Sequence, residues 1–489
     1  MLIRIHNSYC NVIDAPINAQ HIIKERLTYE DANIRYQMIV TGRQLKWAAK
    51  NNPRKVNAFK WRMSQLQKDL IVCWYKDQKF PTGHLGLVAE TLASKGVKFK
   101  LEEARIQPNK KMELSWAEDS PELRHYQEKM LKLAESEHRG VFEVCVGAGK
   151  TLAMQAIIKS LGVGTLVLCP ARDLAGQTFS SFKEVFGKKN VSMVRDLEYK
   201  RAPIQIISIS ALHSIAKKDG LPKLLSGIDC ICIDEVHRSG AKTYTDLLQS
   251  FSGVYYRFGF TGTYLRTDSK TLDMWGFTSN VLLKYPAKQA VQEGYLTPLK
   301  VYTHSISGKK GFDHDKKSRK KSSDYAKEYE ANYCNNPALS YKILQIIEGL
   351  SEDQQVLILV KQKDASGRKI HEHLRENGIP NQFISGDDDK DVVKKALADF
   401  NEKKNRVLIG SSIIGEGIDI RSTDHLIMAQ GGKSEVAVTQ AVGRAVRLFP
   451  GKKKAFVHDF RFTGTKYLKK HLDERLEIYC RNFDADILT

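Results

Sequence analysis

Residues 141–151 read Val-Phe-Glu-Val-Cys-Val-Gly-Ala-Gly-Lys-Thr, and residues 152–161 continue Leu-Ala-Met-Gln-Ala-Ile-Ile-Lys-Ser-Leu. The stretch opens as a largely apolar run, turns on glycine, and passes into a helical pattern. Strand, turn and helix in that order make a phosphate-binding loop. Gly147 and Gly149, with the small Ala148 between them, let backbone N–H groups wrap an oxyanion at a helix N-terminus. Lys150 then offsets the charge of β- and γ-phosphates, and the Thr151 hydroxyl can hold Mg²⁺. A longer form of the pattern has a further glycine where Val144 stands, so this stretch by itself also suits a plain glycine turn.

Two further stretches favour the phosphate reading. Ile231-Cys232-Ile233 reads as a buried strand and ends in Asp234-Glu235-Val236-His237. Carboxylates at the carboxyl end of a strand sit where an α/β sheet places its ligands. Asp234 can join Thr151 in the magnesium shell, and Glu235 can orient and deprotonate an attacking water. The third stretch is Gln440-Ala441-Val442-Gly443-Arg444-Ala445-Val446-Arg447. On a helix, Gln440, Arg444 and Arg447 fall at i, i+4 and i+7 and share one face. Two guanidinium groups and an amide there can stabilise a γ-phosphate as an arginine finger does. The competing reading is a solvated basic stripe. Lys150, Asp234, Glu235, Gln440, Arg444 and Arg447 are the candidate catalytic set.

Outward from these motifs, apolar runs (165–169, 204–209, 230–233, 255–260, then 355–360, 382–385, 406–410, 425–429, 455–458) alternate with amphipathic stretches. Runs apolar throughout imply strands covered on both faces, hence parallel sheets with helical crossovers. The expected fold class is α/β: two parallel-sheet domains in tandem behind a small basic α+β domain. The expected boundaries are 1–115, 116–300, 301–460, and a helical tail over 461–489. Residues 308–327 are lysine-rich and read as a loop or insertion.

Apolar residues make up 42% of the 489 and charged residues 27%, which excludes disorder and coiled coil. The net charge of +21, from 77 Lys+Arg against 56 Asp+Glu, points to a polyanion, first of all nucleic acid. An anionic membrane is the rival, but no stretch nears the ~20 apolar residues of a spanning helix. The first residues lack a charged lead and a long apolar core, so no secretory signal is expected. Eight cysteines without a C-x-x-C pair suggest neither disulfides nor zinc, and a cytoplasmic location.

From Ala32 to Lys68 there is no acidic residue, while Arg54, Lys55, Lys60 and Arg62 lie among Tyr36, Trp47, Phe59 and Trp61. Cations with aromatic faces suit phosphate contact and base stacking. The alternative is a basic face whose aromatics belong to a small core.

In this order the three motifs resemble superfamily two helicases of the DExH type, over about residues 121–460. The resemblance implies two RecA-like domains, ATP and Mg²⁺ as cofactors, and an ATP-driven motor on nucleic acid. Arg124-His125-Tyr126-Gln127 looks like the adenine-reading segment, with Gln127 as the base contact and Arg124 also cofactor-binding. The segment 170–177 matches the first strand-contacting motif, which makes Arg172 a candidate. Phe260-Thr261-Gly262-Thr263 stands where the family has its coupling motif. The segment from Ser411 through Gly415-Glu416-Gly417-Ile418-Asp419 matches the motif touching both nucleic acid and nucleotide, with Gly417 and Asp419 on the nucleotide side. Ser208, Ser385, Gly386 and Ser411 are nucleic-acid candidates by motif position. Within the superfamily, the chain is similar to the phage UvsW and XPB-like branch. Arg266-Thr267-Asp268 stands in the place of an Arg-Glu-Asp triplet there. That likeness implies a DNA partner and branched-DNA remodelling. An RNA helicase shares the whole motor. The motor of a restriction or defence nuclease is the other alternative, and Asp77-x-Lys79 is the one nuclease-like scrap.

Overall fold

The computed structural model describes residues 1–108, 111–238, 251–262, 269–309, 324–411 and 420–488. The chain forms two compact units: Met1–Glu143 with Thr151–Lys284, and Val144–Lys150 with Tyr285–Thr489.

The first unit begins with a four-stranded sheet in the order β5-β2-β1-β6. Its strands are β1 (Leu2–Ile5), β2 (Tyr9–Ile13), β5 (Lys79–Pro81) and β6 (Lys100–Glu103). A two-stranded antiparallel ribbon, β3 (Thr28–Glu30) with β4 (Ile71–Cys73), lies between them in the chain. From the ribbon rise two helices, Ala32–Asn51 and Val56–Asp69. Asp31 caps the first helix by accepting from the N–H groups of Asn33 and Ile34, meeting two donors that a helix start leaves open. Asp77 and Gln78 both have positive φ, at 49° and 55°. They form a tight turn closed by Lys76 and Lys79, at 2.8 Å from the Lys79 N–H to the Lys76 carbonyl. Asp77 is therefore a turn residue, and the nuclease scrap has no further structural support.

The same unit carries a seven-stranded sheet in the order β13-β7-β12-β11-β8-β10-β9. Its strands are β7 (Arg139–Val144), β8 (Thr165–Cys169), β9 (Val191–Val194), β10 (Ile204–Ser208), β11 (Cys230–Asp234), β12 (Tyr256–Thr261) and β13 (Val281–Tyr285). Every pairing from β7 through β9 is parallel. β8 and β10 are buried along their full length, as strands covered on both faces must be.

The small N-terminal sheet docks on this larger one through buried polar contacts. Arg257, only 1% exposed, donates to the Ser8 hydroxyl at 2.5 Å and to the Phe251 carbonyl at 2.6 Å. Its guanidinium also lies 4.6 Å from the Phe277 ring centroid. Arg139 donates to the Asn7 carbonyl at 2.9 Å, and burial lowers its pKa to about 10. Asn7 also holds the Gly253 carbonyl at 3.0 Å. A Cβ on Gly83 would lie 1.8 Å from the Trp275 carbonyl oxygen, so glycine is required for the backbones to approach that closely. Removing the N-terminal segment would take the Asn7 and Ser8 acceptors from two buried guanidinium groups and strip the apolar surface packed around them.

The second unit is a seven-stranded, wholly parallel sheet in the order β16-β17-β15-β18-β19-β14-β20. Its strands are β14 (Leu299–Ser307), β15 (Val356–Val360), β16 (Gln382–Ile384), β17 (Val407–Gly410), β18 (His425–Ala429), β19 (Ala455–Thr463) and β20 (Asp486–Leu488). β19 runs past residue 460, and β20 closes the same sheet. The intervening helix Tyr467–Phe483 is pinned to β19 by a buried pair: Arg475 meets Asp459 through two 2.7 Å bonds, and Tyr479 donates to Asp459 at 2.8 Å. The sequence reading placed a loop over 308–327. Residues 310–323 of it lie outside the described residues, while Asp324–Tyr329 is helical, because Tyr325 and Tyr329 pack on the core of this unit. No helix among the described residues is long and apolar enough to cross a membrane.

Three histidines form a hydrogen-bonded ladder across this sheet. His304 Nε2 meets His458 Nδ1 at 2.9 Å, and His458 Nε2 meets His425 Nδ1 at 2.9 Å. Burial, then His425 and His304, push His458 down to about 2; burial, then Lys452 and Arg406, push His425 to about 4. In the unfolded chain both would titrate near 6.5. Below that pH the unfolded state binds more protons. The stability the ladder confers is therefore full above pH 6.5 and is lost progressively as pH falls toward the lowered values. The unfolding free energy from urea titrations between pH 7 and pH 5 should fall, by up to about 1.4 kcal/mol per pH unit for each histidine. His458→Phe should flatten that slope.

Candidate nucleotide and nucleic-acid sites

The strand order brings the carboxyl ends of β7, β12 and β11 side by side. Thr261 pairs with Glu143, and Phe260 with Asp234, across the ladder. β7 leads directly into the glycine loop. Gly147 and Gly149 there have φ of 87° and 75°, conformations that a side chain strains, and the helix Lys150–Leu161 starts at once. The loop therefore presents backbone N–H groups at a helix N-terminus, as phosphate oxygens require. Thr151 is exposed and Lys150 half-buried.

Glu235 directly follows the end of β11 and adopts φ of 50°, unusual for a residue with a Cβ. Such strain gathers at functional positions. Its N–H donates to Asp234 Oδ1 at 3.0 Å. His237 stands between the two strand ends: its Nδ1 lies 2.9 Å from the Thr261 hydroxyl and 3.3 Å from Glu235 Oε2. Sequence reasoning assigned no role to His237. The signal was there in Asp234-Glu235-Val236-His237, but only the parallel register puts Thr261 opposite it.

Gln127, 1% exposed, accepts the Arg124 N–H through Oε1 at 2.9 Å, and Arg124 reaches the Tyr126 hydroxyl at 3.2 Å. These two residues thus form one braced turn at the start of the helix His125–Glu137. Arg172 and Ser208 are also brought together, by Ser210, which the sequence did not flag. Arg172 Nε lies 3.3 Å from the Ser210 hydroxyl, and Ser208 lies 3.1 Å from it. Ser208 also caps the helix Ile209–Ala216.

In the second unit, the Ser411 N–H reaches the Ile384 carbonyl at 3.3 Å, next to Ser385 and Gly386 at the end of β16. A Cβ on Gly386 would meet nothing within 4 Å. Gly417 and Asp419 lie outside the described residues, as do Thr263 and the triplet Arg266-Thr267-Asp268. The arginine segment departs from the expectation. Its helix spans Glu435–Ala445, so Arg447 lies beyond its end rather than on a shared face. The backbone tightens there, with the Arg447 N–H 3.4 Å from the Arg444 carbonyl. Arg444 is 4% exposed and Gln440 half-buried. Within this unit a Cβ on Gly147 would lie 3.3 Å from Arg447 Cγ, and one on Gly443 would lie 2.5 Å from Val146 Cβ. Glycine at 443 is what lets this helix approach the loop residue.

The acid-free window also has an answer. Trp61 is 67% exposed, Trp47 55% and Tyr36 65%, whereas Leu66 and Ala48 are buried between the two helices. These three aromatics are not core residues. Arg54, Lys55, Lys60 and Arg62 are exposed beside them.

Two family profiles match the chain: "Type III restriction enzyme, res subunit" over residues 120–266, and "Helicase conserved C-terminal domain" over residues 340–449. Together they cover just over half of it. A protein named as a helicase in Sulfolobus islandicus filamentous virus is 24% identical over 71% of this chain and 66% of its own length. The DNA 3'-5' translocase XPB2 of Sulfurisphaera tokodaii is 23% identical over 67% of this chain and 79% of its own. The ATP-dependent DNA helicase uvsW of Enterobacteria phage T4 is 19% identical over 50% of this chain and 51% of its own. The chain thus spans less than two thirds of the viral and phage relatives. With two parallel sheets and the motifs at their strand ends, it belongs to the superfamily two helicases. Among them it resembles the UvsW and XPB-like members.

Because Trp61 is exposed, Trp61→Ala should leave the thermal midpoint nearly unchanged, within about 0.5 kcal/mol of stability. Its affinity for single-stranded DNA should fall by ~1–3 kcal/mol if the ring stacks a base. Calorimetry and fluorescence anisotropy read the two effects separately.

Proposed function

We propose that this chain is an ATP-driven DNA translocase that remodels branched DNA in replication, recombination or repair. The observation that carries the motor reading is the position of His237 next to both Glu235 and Thr261, and a glycine loop with two positive-φ glycines leading into a helix supports it. The carboxylate read as hydrolytic thereby lies close to the strand that ends in Thr261. The residues present fit a magnesium nucleotide: loop N–H groups and Lys150 for phosphate, Thr151 and Asp234 for the metal, Arg124 and Gln127 for the base. Bound there, ATP would supply the free energy of phosphoryl transfer to water. Glu235 would orient that water and take its proton. Arg444 and Arg447, with Gln440, would offset the charge that grows on the transferred group.

DNA as the substrate is supported by the excess of cations, by the exposed aromatics of the N-terminal helices, and by the relatives named for DNA translocation and DNA unwinding. The exposed Arg172 and Gly386 would meet phosphates, while Ser208, Ser385 and Ser411, all buried, would hold those positions from behind, and such a grip is indifferent to sequence. The restriction-subunit profile favours a second reading, the motor of a nuclease complex.

The deciding experiment compares ATPase turnover on four-way junctions, linear duplex, single strands and RNA, with Mg²⁺ present and cleavage monitored. Highest turnover on junctions supports the proposal. Highest turnover on RNA, or cutting of the DNA, overturns it. Glu235→Gln should bind ATP and hydrolyse it very slowly, while Lys150→Ala should lose much of the binding. Arg444→Ala and Arg447→Ala should each lose on the order of 10³-fold in turnover. Affinity should also fall steeply with salt, by about 0.9 in log K per log salt for each neutralised phosphate.

A further inference from the structure

The two N-terminal helices form an arm whose outer face is unusually composed. Tyr36, Ile39, Arg43, Trp47 and Lys50 are all exposed and fall at i, i+3, i+7, i+11 and i+14, one stripe of a helix. Thr41 and Ala48 are buried, on the side of the helix away from this stripe. The second helix adds exposed Trp61 and Lys68. A stripe alternating rings with cations, and free of carboxylates, complements an unpaired strand: phosphates for the cations, bases for the rings.

The root of this arm is tied to the motor sheet at one carboxylate. Tyr29 on β3 and Trp74 just after β4 both donate to Asp273 Oδ1, Trp74 at 3.0 Å. Asp273 is 6% exposed and lies on the helix Ser269–Phe277. That helix is the first described segment after β12 and Gly262, so it follows Thr261, the partner of His237. Gly83 and His84 grip the same helix at Trp275 and Gly276. Any bending of the arm at its root must therefore move Tyr29 and Trp74 against this helix, or be resisted by it.

We infer that the helical arm senses an unpaired nucleic-acid strand, and that Asp273 is the positioning residue that passes this occupancy to Thr261, His237 and Glu235. The inference rests on the ATPase reading above.

The test uses the full chain. ATP turnover is measured with and without oligo-dT, and oligo-dT affinity is measured separately by anisotropy. Tyr29→Phe with Trp74→Phe removes both donors and keeps both rings. Basal turnover and oligo-dT affinity should stay at the wild-type level, while the stimulation by oligo-dT should fall about 5- to 10-fold. Tyr29→Phe alone is the milder variant, read by the same ratio should the pair unfold. Asp273→Asn, which keeps an oxygen acceptor, should retain most of the stimulation. Arg43→Ala with Trp47→Ala should lose both affinity and stimulation, and adding the latch changes should lower stimulation little further, as expected for one shared route. Full stimulation in the latch variants, or additive losses, would overturn the link. Blunt duplex competing equally for the arm would overturn the unpaired-strand assignment. No stimulation of the wild-type chain by any nucleic acid would instead strike the ATPase reading itself.

Discussion

Both seven-stranded sheets are parallel and largely buried, so a polar side chain within their strands must find its partner inside the protein. This constraint organises the molecule. Thr165–Cys169 and Val356–Val360 are buried from end to end, while Asp234 and Thr261 stand at the last positions of β11 and β12. Asp234, Glu235 and Thr261 therefore meet at one end of one sheet, although they come from different strands. His237 completes that end by joining two neighbouring strand ends through a pair of short contacts.

The N-terminal segment obeys a different constraint. Arg139 and Arg257 are buried within the first unit, and the bonds they make go to carbonyls and to a serine hydroxyl, with Asn7 and Ser8 of the N-terminal segment among the acceptors. Burial without a counter-ion is tolerated only while those acceptors stay in place. The segment is thus built into the first motor unit. A truncation meant to isolate it would disturb the sheet that carries Glu143, Asp234 and Thr261. Point changes on the exposed arm avoid that difficulty.

The second unit uses two polar devices of its own. Asp459 and Arg475 form a buried bidentate pair satisfied further by Tyr479, which fixes the helix Tyr467–Phe483 on β19. That helix in turn meets the arginine-bearing helix: Asn482 lies 3.1 Å from Thr439, and Arg481 lies 2.7 Å from Glu435. The histidine ladder crosses the same sheet and stays neutral because burial disfavours its charge.

The sequence by itself determined the class of the fold and the identity of the motifs. Apolar runs too long for a half-exposed strand demanded parallel sheets, and glycines beside Lys150 and carboxylates after Ile233 demanded strand ends. Two strands escaped it: β14, one in from the edge, alternates polar with apolar, and the edge strand β9 is short, so neither carried a buried-strand pattern. It also put Arg447 on a helix that stops at Ala445, since periodicity does not reveal where a helix loses its last hydrogen bond. Only tertiary structure decided which residues meet across the register, as His237 does Thr261 and Tyr29 does Asp273. It also settled whether Trp47 and Trp61 face a core or water. Composition gives a tryptophan's appetite for burial, but whether it is met depends on what the rest of the chain packs against it.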